Sequence, residues 1–392
     1  INEDNDSINT EDAEKEIEAY FNMYKNKEVY KYPTETIQKI KKTDPIYGPF
    51  GSQWINDIQK DDILDEKALE KVKIFNELSQ IPVDEQCSPE WFKARESRIT
   101  ASDIGTVLGD NKHSAAYEFI LKKVSGGGFP GNEFTYHGKK YEKIATMIYE
   151  YRMNVQVHEF GMICHPNHYF LGASPDGIVN EYKNNGINKT KHVGRMLEIK
   201  CPYRRKINTE GEIKDHICPI YYWDQVQLQL ECCNLEECDF WQCNIYEYSS
   251  RSKFLEDTDL TEPFRSRETG LEKGCVIQLL KKSKAGESMD NYNEVVYNNS
   301  NFVYPDKVEM SPYDVDIWIA NKMEEIRYDE KYKDYYVDKI IYWRLNNAHN
   351  CTIIREREWF KSRLPTMKKI WNYVEFFREN QDLFKLFQQF VD

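Results

Sequence analysis

The chain has no uninterrupted apolar run of the length that a membrane span requires. A transmembrane helix needs about 18 to 20 consecutive apolar residues, so we expect no membrane segment. The ten cysteines include no Cys-x-x-Cys pair, and no signal peptide is recognisable. This pattern predicts reduced thiols in a cytoplasmic setting rather than a disulfide framework.

Positive charge is also scarce, with 53 Lys and Arg against 66 Asp and Glu and a net charge of −13. Such a balance is unfavourable for a protein that binds nucleic acid over its whole surface, because phosphates need cationic partners. Much of the acid lies at the start of the chain, where residues 1–20 hold eight acidic side chains and one Lys15. A surface for an anionic polymer would therefore be a local cleft.

The composition favours a folded chain, with 14% aromatic and 40% hydrophobic residues among 392. Shifts in pattern divide the chain into four parts. We expect an acidic helical N-terminal extension at 1–87, followed by regions at 88–248, 249–335 and 336–392.

The most informative stretch lies in the 88–248 region and combines a turn with a strand. Ser174-Pro175-Asp176-Gly177 is a polar turn that opens an apolar run, and Leu197-Glu198-Ile199-Lys200 is an apolar run with two charges. Residues two apart on a strand face the same side, so Glu198 and Lys200 should lie together. With Asp176 they form the Pro-Asp…Glu-x-Lys signature of a broad nuclease superfamily. The carboxylates suit Mg²⁺ or Mn²⁺, and the lysine suits a water or phosphate. A surface hairpin with an ordinary ion pair is the alternative.

A second candidate site precedes this stretch. Ser88 and Pro89 are a typical start for a helix at 88–96, with Arg95 near its end. Residues 99–105 are expected to start another helix, which Thr100 or Ser102 would cap. A helix N-terminus beside a hydroxyl and an arginine is suited to a phosphate group. Plain capping next to a surface arginine is the alternative.

Two longer helices carry polar side chains that could face the acidic turn and strand. The helix at 138–151 has an apolar stripe with Glu142 at its edge, where the carboxylate is either ion-paired or a further metal ligand. The helix at 219–234 places Gln225 and Gln229 on one face, four residues apart. Their amides could hold a water or a phosphate, or form polar surface.

The remaining pattern predicts shorter elements. Cys164, His165 and His168 are expected to lie in a turn between strands rather than in a metal cluster. We expect further helices at 11–26, 62–80, 114–124, 312–327 and 356–378, the last kinked or restarted at Pro365. Strands are expected at 155–164, 168–173, 238–247, 276–280, 294–297 and 339–345, and a loop at 249–273.

Six short motifs stand together in one order: Trp91-Phe92-Lys93-Ala94-Arg95, Ile99-Thr100-Ala101-Ser102, Gly138-Lys139-Lys140-Tyr141-Glu142, Ala173-Ser174-Pro175-Asp176-Gly177, Leu197-Glu198-Ile199-Lys200-Cys201-Pro202 and Gln225-Val226-Gln227. In this order and spacing the chain resembles the lambda-type exonucleases, the YqaJ-like viral recombinase family. The resemblance implies an α+β fold around a PD-(D/E)XK restriction-endonuclease-like core, in which helices flank a central mixed sheet. It would make 88–248 the nuclease core, 249–335 an insertion or accessory region, and 336–392 the closing strand and C-terminal helices.

The resemblance also implies a role for each residue that matches a family motif. Asp176, Glu198, Glu142 and the main-chain carbonyl of Ile199 would hold two Mg²⁺ or Mn²⁺ ions. Lys200 would assist the attacking water, and Gln225 would lie beside it. A 5′-terminal phosphate would be gripped by Arg95, Ser102 and Ser174.

The implied activity is Mg²⁺-dependent 5′→3′ hydrolysis of double-stranded DNA from free ends. The products would be 5′-mononucleotides and 3′ single-stranded overhangs for recombination, repair or replication, with an alkaline optimum. A structure-specific endonuclease or nickase and a non-catalytic DNA-binding protein are the alternatives. A single-strand annealing protein, a homo-oligomer and a host-cytoplasmic or viral-factory location are expectations from the family.

Overall fold

The computed structural model describes residues 64–391 except 83, 85, 87, 127–130, 184, 185, 187 and 283–291. The expected helix at 11–26 and most of the N-terminal extension lie outside the described residues.

The described residues form eleven α-helices. In chain order they are α1 Glu66–Ser79, α2 Pro89–Glu96, α3 Ile104–Leu108, α4 Ala116–Ser125, α5 Glu133–Met153, α6 Ile220–Cys233, α7 Arg251–Glu256, α8 Tyr292–Asn299, α9 Pro312–Tyr328, α10 Arg357–Glu379 and α11 Gln381–Val391. None of the helices in this part of the chain is both long and apolar enough to span a bilayer.

Ten strands complete the described fold: β1 Ile99–Thr100, β2 Val155–His158, β3 Ile163–Cys164, β4 Leu171–Ala173, β5 Gly177–Tyr182, β6 Met196–Lys200, β7 Glu237–Glu247, β8 Lys273–Lys281, β9 Ser300–Val303 and β10 Tyr335–Ile354. Seven form a mixed sheet in the order β2-β5-β6-β7-β10-β8-β9, and β1-β4-β3 form a smaller sheet. The expected α+β class with a central mixed sheet is confirmed. Strands β8 and β9, from the 249–335 region, extend this sheet through β10.

One parallel pair in the large sheet determines where the polar helix α6 lies. Strands β6 and β7 are parallel, whereas the other pairs of this sheet are antiparallel. Parallel neighbours need a crossover connection, which is usually a helix. Helix α6 lies in this connection, and two of its glutamine side chains form hydrogen bonds to Glu198 on β6.

Alternation along β6 separates the two faces of the sheet. Met196 packs into the core cluster shared with α6 and α10, whereas Leu197 and Ile199 pack into the cluster shared with α5. Because successive side chains on a strand point to opposite faces, Glu198 and Lys200 lie on the face of Met196. Helix α5 covers the opposite face.

Several expected elements are confirmed, including α2 with its Ser88 cap, the helices near 62–80, 219–234 and 312–327, and the strand at 238–247. The segment between β3 and β4 is a turn, where the His165 ring stacks on Phe360 with centroids 5.2 Å apart. All nine cysteines in the described part of the chain are free.

Four expectations are wrong. The strand at 294–297 is helix α8, because a short apolar run such as this does not distinguish the two structures. The loop at 249–273 contains α7. The helix at 99–105 begins only at Ile104, after β1 and a 3₁₀ turn, with no capping bond from Thr100. Helix α10 does not restart at Pro365 but continues through it, because its buried apolar face outweighs the lost backbone bond.

Candidate active site

The carboxylate of Glu198 is the centre of the polar cluster and is completely buried. Gln225 donates to its Oε1 at 2.7 Å, and Gln229 donates to its Oε2 at 2.7 Å. The ammonium of Lys200 also bonds to Oε1. Three donors from two elements therefore hold a buried charge that would otherwise be costly.

Asp176 lies in the turn that leads into β5. Its Oδ2 accepts a hydrogen bond of 2.6 Å from the backbone N–H of Ile199, so the turn is joined to β6. The turn requires Gly177, because a Cβ there would lie 2.1 Å from Cγ1 of Val157 on the neighbouring strand. Burial raises the pKa of Asp176 well above its usual range, and the charges of Glu198 and Glu142 raise it further.

Glu142 approaches the same charges from α5, on the opposite face of the sheet. Solvent reaches its side chain. The protein atoms that crowd around it nevertheless raise its pKa, and the charge of Glu198 adds to the rise against the opposing charge of Lys200. The carboxylate is therefore open to solvent while it lies close to the charges of Glu198 and Lys200.

Lys200 is the cation that faces these acids. Its ammonium bonds to Glu198 and lies 4.5 Å from the centroid of the Tyr222 ring. Burial acts to lower the pKa of Lys200, but Glu198, Tyr222 and Asp176 outweigh it and raise the pKa above the ordinary value. The side chain is therefore protonated near neutral pH and can donate hydrogen bonds.

Three carboxylates thus surround one ammonium, and this balance suits a divalent cation. Burial and, to a lesser extent, repulsion among the acids raise the pKa values of Asp176 and Glu142, and a bound cation would favour their charged forms. Carboxylate oxygens and the Ile199 carbonyl are the hard ligands that Mg²⁺ prefers. Across the described ranges, no three His, Cys, Asp or Glu side chains already have the spacing of a metal site. Both oxygens of Glu198 are instead engaged by donors, so binding would require these donors to shift.

A second cluster contains the three residues expected at a terminal phosphate. Arg95 donates to Oγ of Ser102 at 2.7 Å, and its guanidinium lies 4.4 Å from the Trp91 ring centroid. The Trp91 indole N–H donates to Oγ of Ser174 at 3.0 Å. The indole therefore connects Arg95 and Ser102 on one side with Ser174 on the other.

Lys123 and Trp91 support this cluster, and neither was assigned a role from sequence. The buried Lys123 ammonium donates to the backbone carbonyl of Arg95 at 2.7 Å and lies 3.2 Å from Oδ2 of Asp103. The sequence could have predicted the contact between Trp91 and Arg95, because the two residues are four apart on a helix and are therefore neighbours. The contact of Lys123 could not be predicted in this way, since Lys123 comes from another helix.

The two clusters are adjacent. Ser174 precedes Asp176 by two residues, and Nε2 of Gln229 lies 3.4 Å from the Ser174 carbonyl oxygen while bonding to Glu198. Gln227 points elsewhere: it donates to the Ile354 carbonyl at 2.9 Å and accepts from the Glu356 N–H at 2.7 Å. It therefore joins α6 to the end of β10 rather than to the acids.

Comparisons with known proteins point to one family. Residues 90–236 match the YqaJ-like viral recombinase domain. An uncharacterized protein of Acanthamoeba polyphaga mimivirus is 39% identical over 317 residues, which are 80% of this chain and 57% of that protein. The chain therefore spans little more than half the length of this relative.

Two solved structures were also matched. LHK-Exo, an alkaline exonuclease from Laribacter hongkongensis, is 24% identical, and the match covers 40% of this chain and 74% of that one with a TM-score of 0.31. A phage-related exonuclease from Haemophilus somnus is 10% identical, with coverage of 72% and 96% and a TM-score of 0.38.

Proposed function

We propose that this chain, whose residues 90–236 match the YqaJ-like viral recombinase domain, is a metal-dependent deoxyribonuclease that degrades double-stranded DNA from its ends. The observation that carries the proposal is the convergence of Asp176, Glu198 and Lys200. They lie beside the cluster of Arg95, Ser102 and Ser174, which we call the Arg95 cluster. Acids beside one fixed ammonium, next to an arginine and two hydroxyls, could bind a phosphodiester near the end of a DNA strand.

Asp176, Glu198, Glu142 and the Ile199 carbonyl would hold Mg²⁺ or Mn²⁺, with two ions as the expected number. When bound, such ions supply an activated water and stabilise the leaving oxygen. Lys200 keeps its proton and would orient the water or donate to a phosphate oxygen. The Gln225 amide reaches the same carboxylate and would hold the water or the phosphate in line.

The Arg95 cluster would determine the direction in which the DNA strand is degraded. A guanidinium forms paired hydrogen bonds to a phosphate, and the hydroxyls of Ser102 and Ser174 can add to them. A terminal 5′-phosphate held there would present the first phosphodiester to the acids. The proposal is therefore 5′→3′ degradation that releases 5′-mononucleotides and leaves 3′ single strands for recombination, repair or replication. The viral relative supports action in host cytoplasm or a viral factory. A single-strand annealing partner and a homo-oligomer stay part of the proposal.

The test is digestion of linear duplexes labelled at one 5′ end or one 3′ end. With Mg²⁺ the 5′ label should appear at once as a mononucleotide, whereas the 3′ label should stay in long fragments. Chelator should stop both reactions. A covalently closed circle should remain intact, because an exonuclease needs an end. Cutting of the circle would favour the endonuclease alternative, and no cleavage of either substrate would overturn the proposal.

A further inference from the structure

Two aromatic side chains are exposed beside the end of strand β6. Phe134 is 51% exposed and Tyr203 is 45% exposed, and their ring centroids are 6.0 Å apart. The guanidinium of Arg204 lies 5.6 Å from the Phe134 ring and 5.3 Å from the Tyr203 ring. We call Phe134, Tyr203 and Arg204 the aromatic platform.

The platform has a rigid support. The buried ring of His137 contacts Tyr203 with centroids 5.1 Å apart and Tyr141 with centroids 4.8 Å apart. His137 and Tyr141 belong to α5, as does Phe134. The exposed rings therefore rest on a helix packed into the core, so their exposure is a fixed feature of the surface.

The platform lies close to the proposed site of hydrolysis. Tyr203 follows Lys200 by three residues, which limits the separation of their Cα atoms to about 11 Å. Phe134 precedes Glu142 by eight residues on α5, a rise of about 12 Å along the helix. A strand that crosses the acids would reach the platform within a few nucleotides.

The charge around the platform is locally positive in an acidic protein. Arg204, Arg205 and Lys206 are consecutive, whereas the chain as a whole has a net charge of −13. Arg205 is anchored by a bond of 2.8 Å to Oε1 of Gln242. One acid opposes them, since Glu133 pairs with Arg204 at 2.8 Å. The side chain of Arg204 is 65% exposed and that of Glu133 is 32% exposed, so solvent screens the pair and a phosphate could replace Glu133.

From these observations we infer that the platform stacks the bases of an unpaired DNA strand within a few nucleotides of the bond that is cut. Exposed aromatic rings with arginines form the usual surface for single strands, because every base has a face on which a ring can stack. A protein partner would use the same rings without needing bases. The inference rests on the proposed nuclease function only for the location of the cut bond.

Binding of a fluorescent single-stranded twelve-nucleotide thymidine oligonucleotide, measured by anisotropy in chelator at fixed salt, tests the inference. F134A/Y203A should weaken binding roughly tenfold or more, as expected for the loss of stacked bases. F134Y/Y203F keeps both rings and should bind within about twofold of wild type. The matched control is Y313A/Y328A, which removes two tyrosines of α9 that are 73% and 74% exposed. This control should bind the oligonucleotide as tightly as wild type.

A strand of the same length with abasic sites separates stacking from phosphate binding. It should bind the wild type weakly, and the wild type and F134A/Y203A should then bind it alike. Equal binding of normal and abasic strands by wild type would overturn the inference, as would unchanged binding by F134A/Y203A. Unchanged binding would leave a protein partner as the occupant.

Photocrosslinking keeps the test independent of how the variants fold. Wild-type protein irradiated with a 5-iodouracil strand should be crosslinked at Phe134 or Tyr203, as mapped by mass spectrometry, and crosslinks only elsewhere would refute the platform. Cleavage of duplex ends by wild type is measured separately. If wild type cleaves but the platform is irrelevant to binding, the inference alone fails. If the platform binds bases but nothing is cleaved, the proposed function fails instead.

Discussion

Gln225 on α6 donates a hydrogen bond of 2.7 Å to the carboxylate of Glu198 on β6. Gln229, one turn further along, holds the other oxygen of the same carboxylate. The crossover helix that makes β6 and β7 parallel neighbours thereby also fixes the direction of the central acid. Fold and candidate chemistry depend on the same helix.

Substitutions at the two acids and at Lys200 should separate cleavage from binding. D176N, E198Q and K200A are expected to lower the cleavage rate by on the order of 10²–10³-fold or more, because each removes a charge next to the phosphodiester. Affinity for duplex DNA should change by only a few fold. E358Q, on the surface of α10 with 84% of its side chain exposed, is the control. Near-normal cleavage by any of the three variants would refute the site.

Arg95 should determine which DNA ends are preferred. R95A is expected to erase the preference for 5′-phosphate over 5′-hydroxyl duplexes, because the guanidinium is the charged partner of the terminal phosphate. Initial rates on the two substrates measure the preference as a ratio. K93A removes an exposed cation from the same helix and should leave the ratio unchanged. An R95A ratio equal to that of wild type would contradict the phosphate pocket.

Divalent metal should stabilise the folded protein as well as activate it. At a concentration 100 times its dissociation constant, a ligand specific to the native state adds about 2.7 kcal/mol. Mg²⁺ or Mn²⁺ should therefore raise the melting temperature of wild type in differential scanning calorimetry. Addition of a chelator should return the melting temperature to that of the metal-free protein. In D176N/E198Q the shift should be much smaller. An equal shift in that variant would place the ions elsewhere.

Asp224 predicts a pH dependence of stability outside the acidic site. Burial raises the pKa of Asp224 well above its usual range, and the charge of the nearby Asp110 raises it further. Within the described chain, Oδ2 of each residue is buried without a donor, so a proton shared between them would satisfy both.

The sign of the effect follows from where the proton is held. The native state retains a proton that the unfolded chain loses above about pH 4, so stability from this pair falls as pH rises through the raised pKa, by up to about 1.4 kcal/mol per pH unit. D224N keeps an acceptor for the Trp359 indole N–H, now 3.0 Å from Asp224 Oδ1, and should be more stable than wild type at pH 8 and not at pH 4. Urea unfolding at both pH values measures this. A D224N protein less stable than wild type at pH 8 would argue against the shared proton.

Local features of the structure were predictable because their causes lie within a few residues. The Ser88 cap, the turn at Asp176 and the common face of Glu198 and Lys200 each follow from backbone geometry over two to four positions. The common face of Gln225 and Gln229 follows from the helical repeat. The prediction of a strand at 294–297 was wrong because its short apolar run is compatible with helix and strand alike.

The sequence by itself determined which chemical groups the chain can offer at its turn, strand and helices, since periodicity and capping act locally. Only the tertiary structure decided that Glu142 approaches from the opposite face, that Trp91 joins Arg95 to Ser174, and that Tyr203 rests on His137. These pairs are separated by many residues in the chain. They meet because strand pairing, the crossover of α6 and the packing of α5 bring distant segments to one end of the sheet.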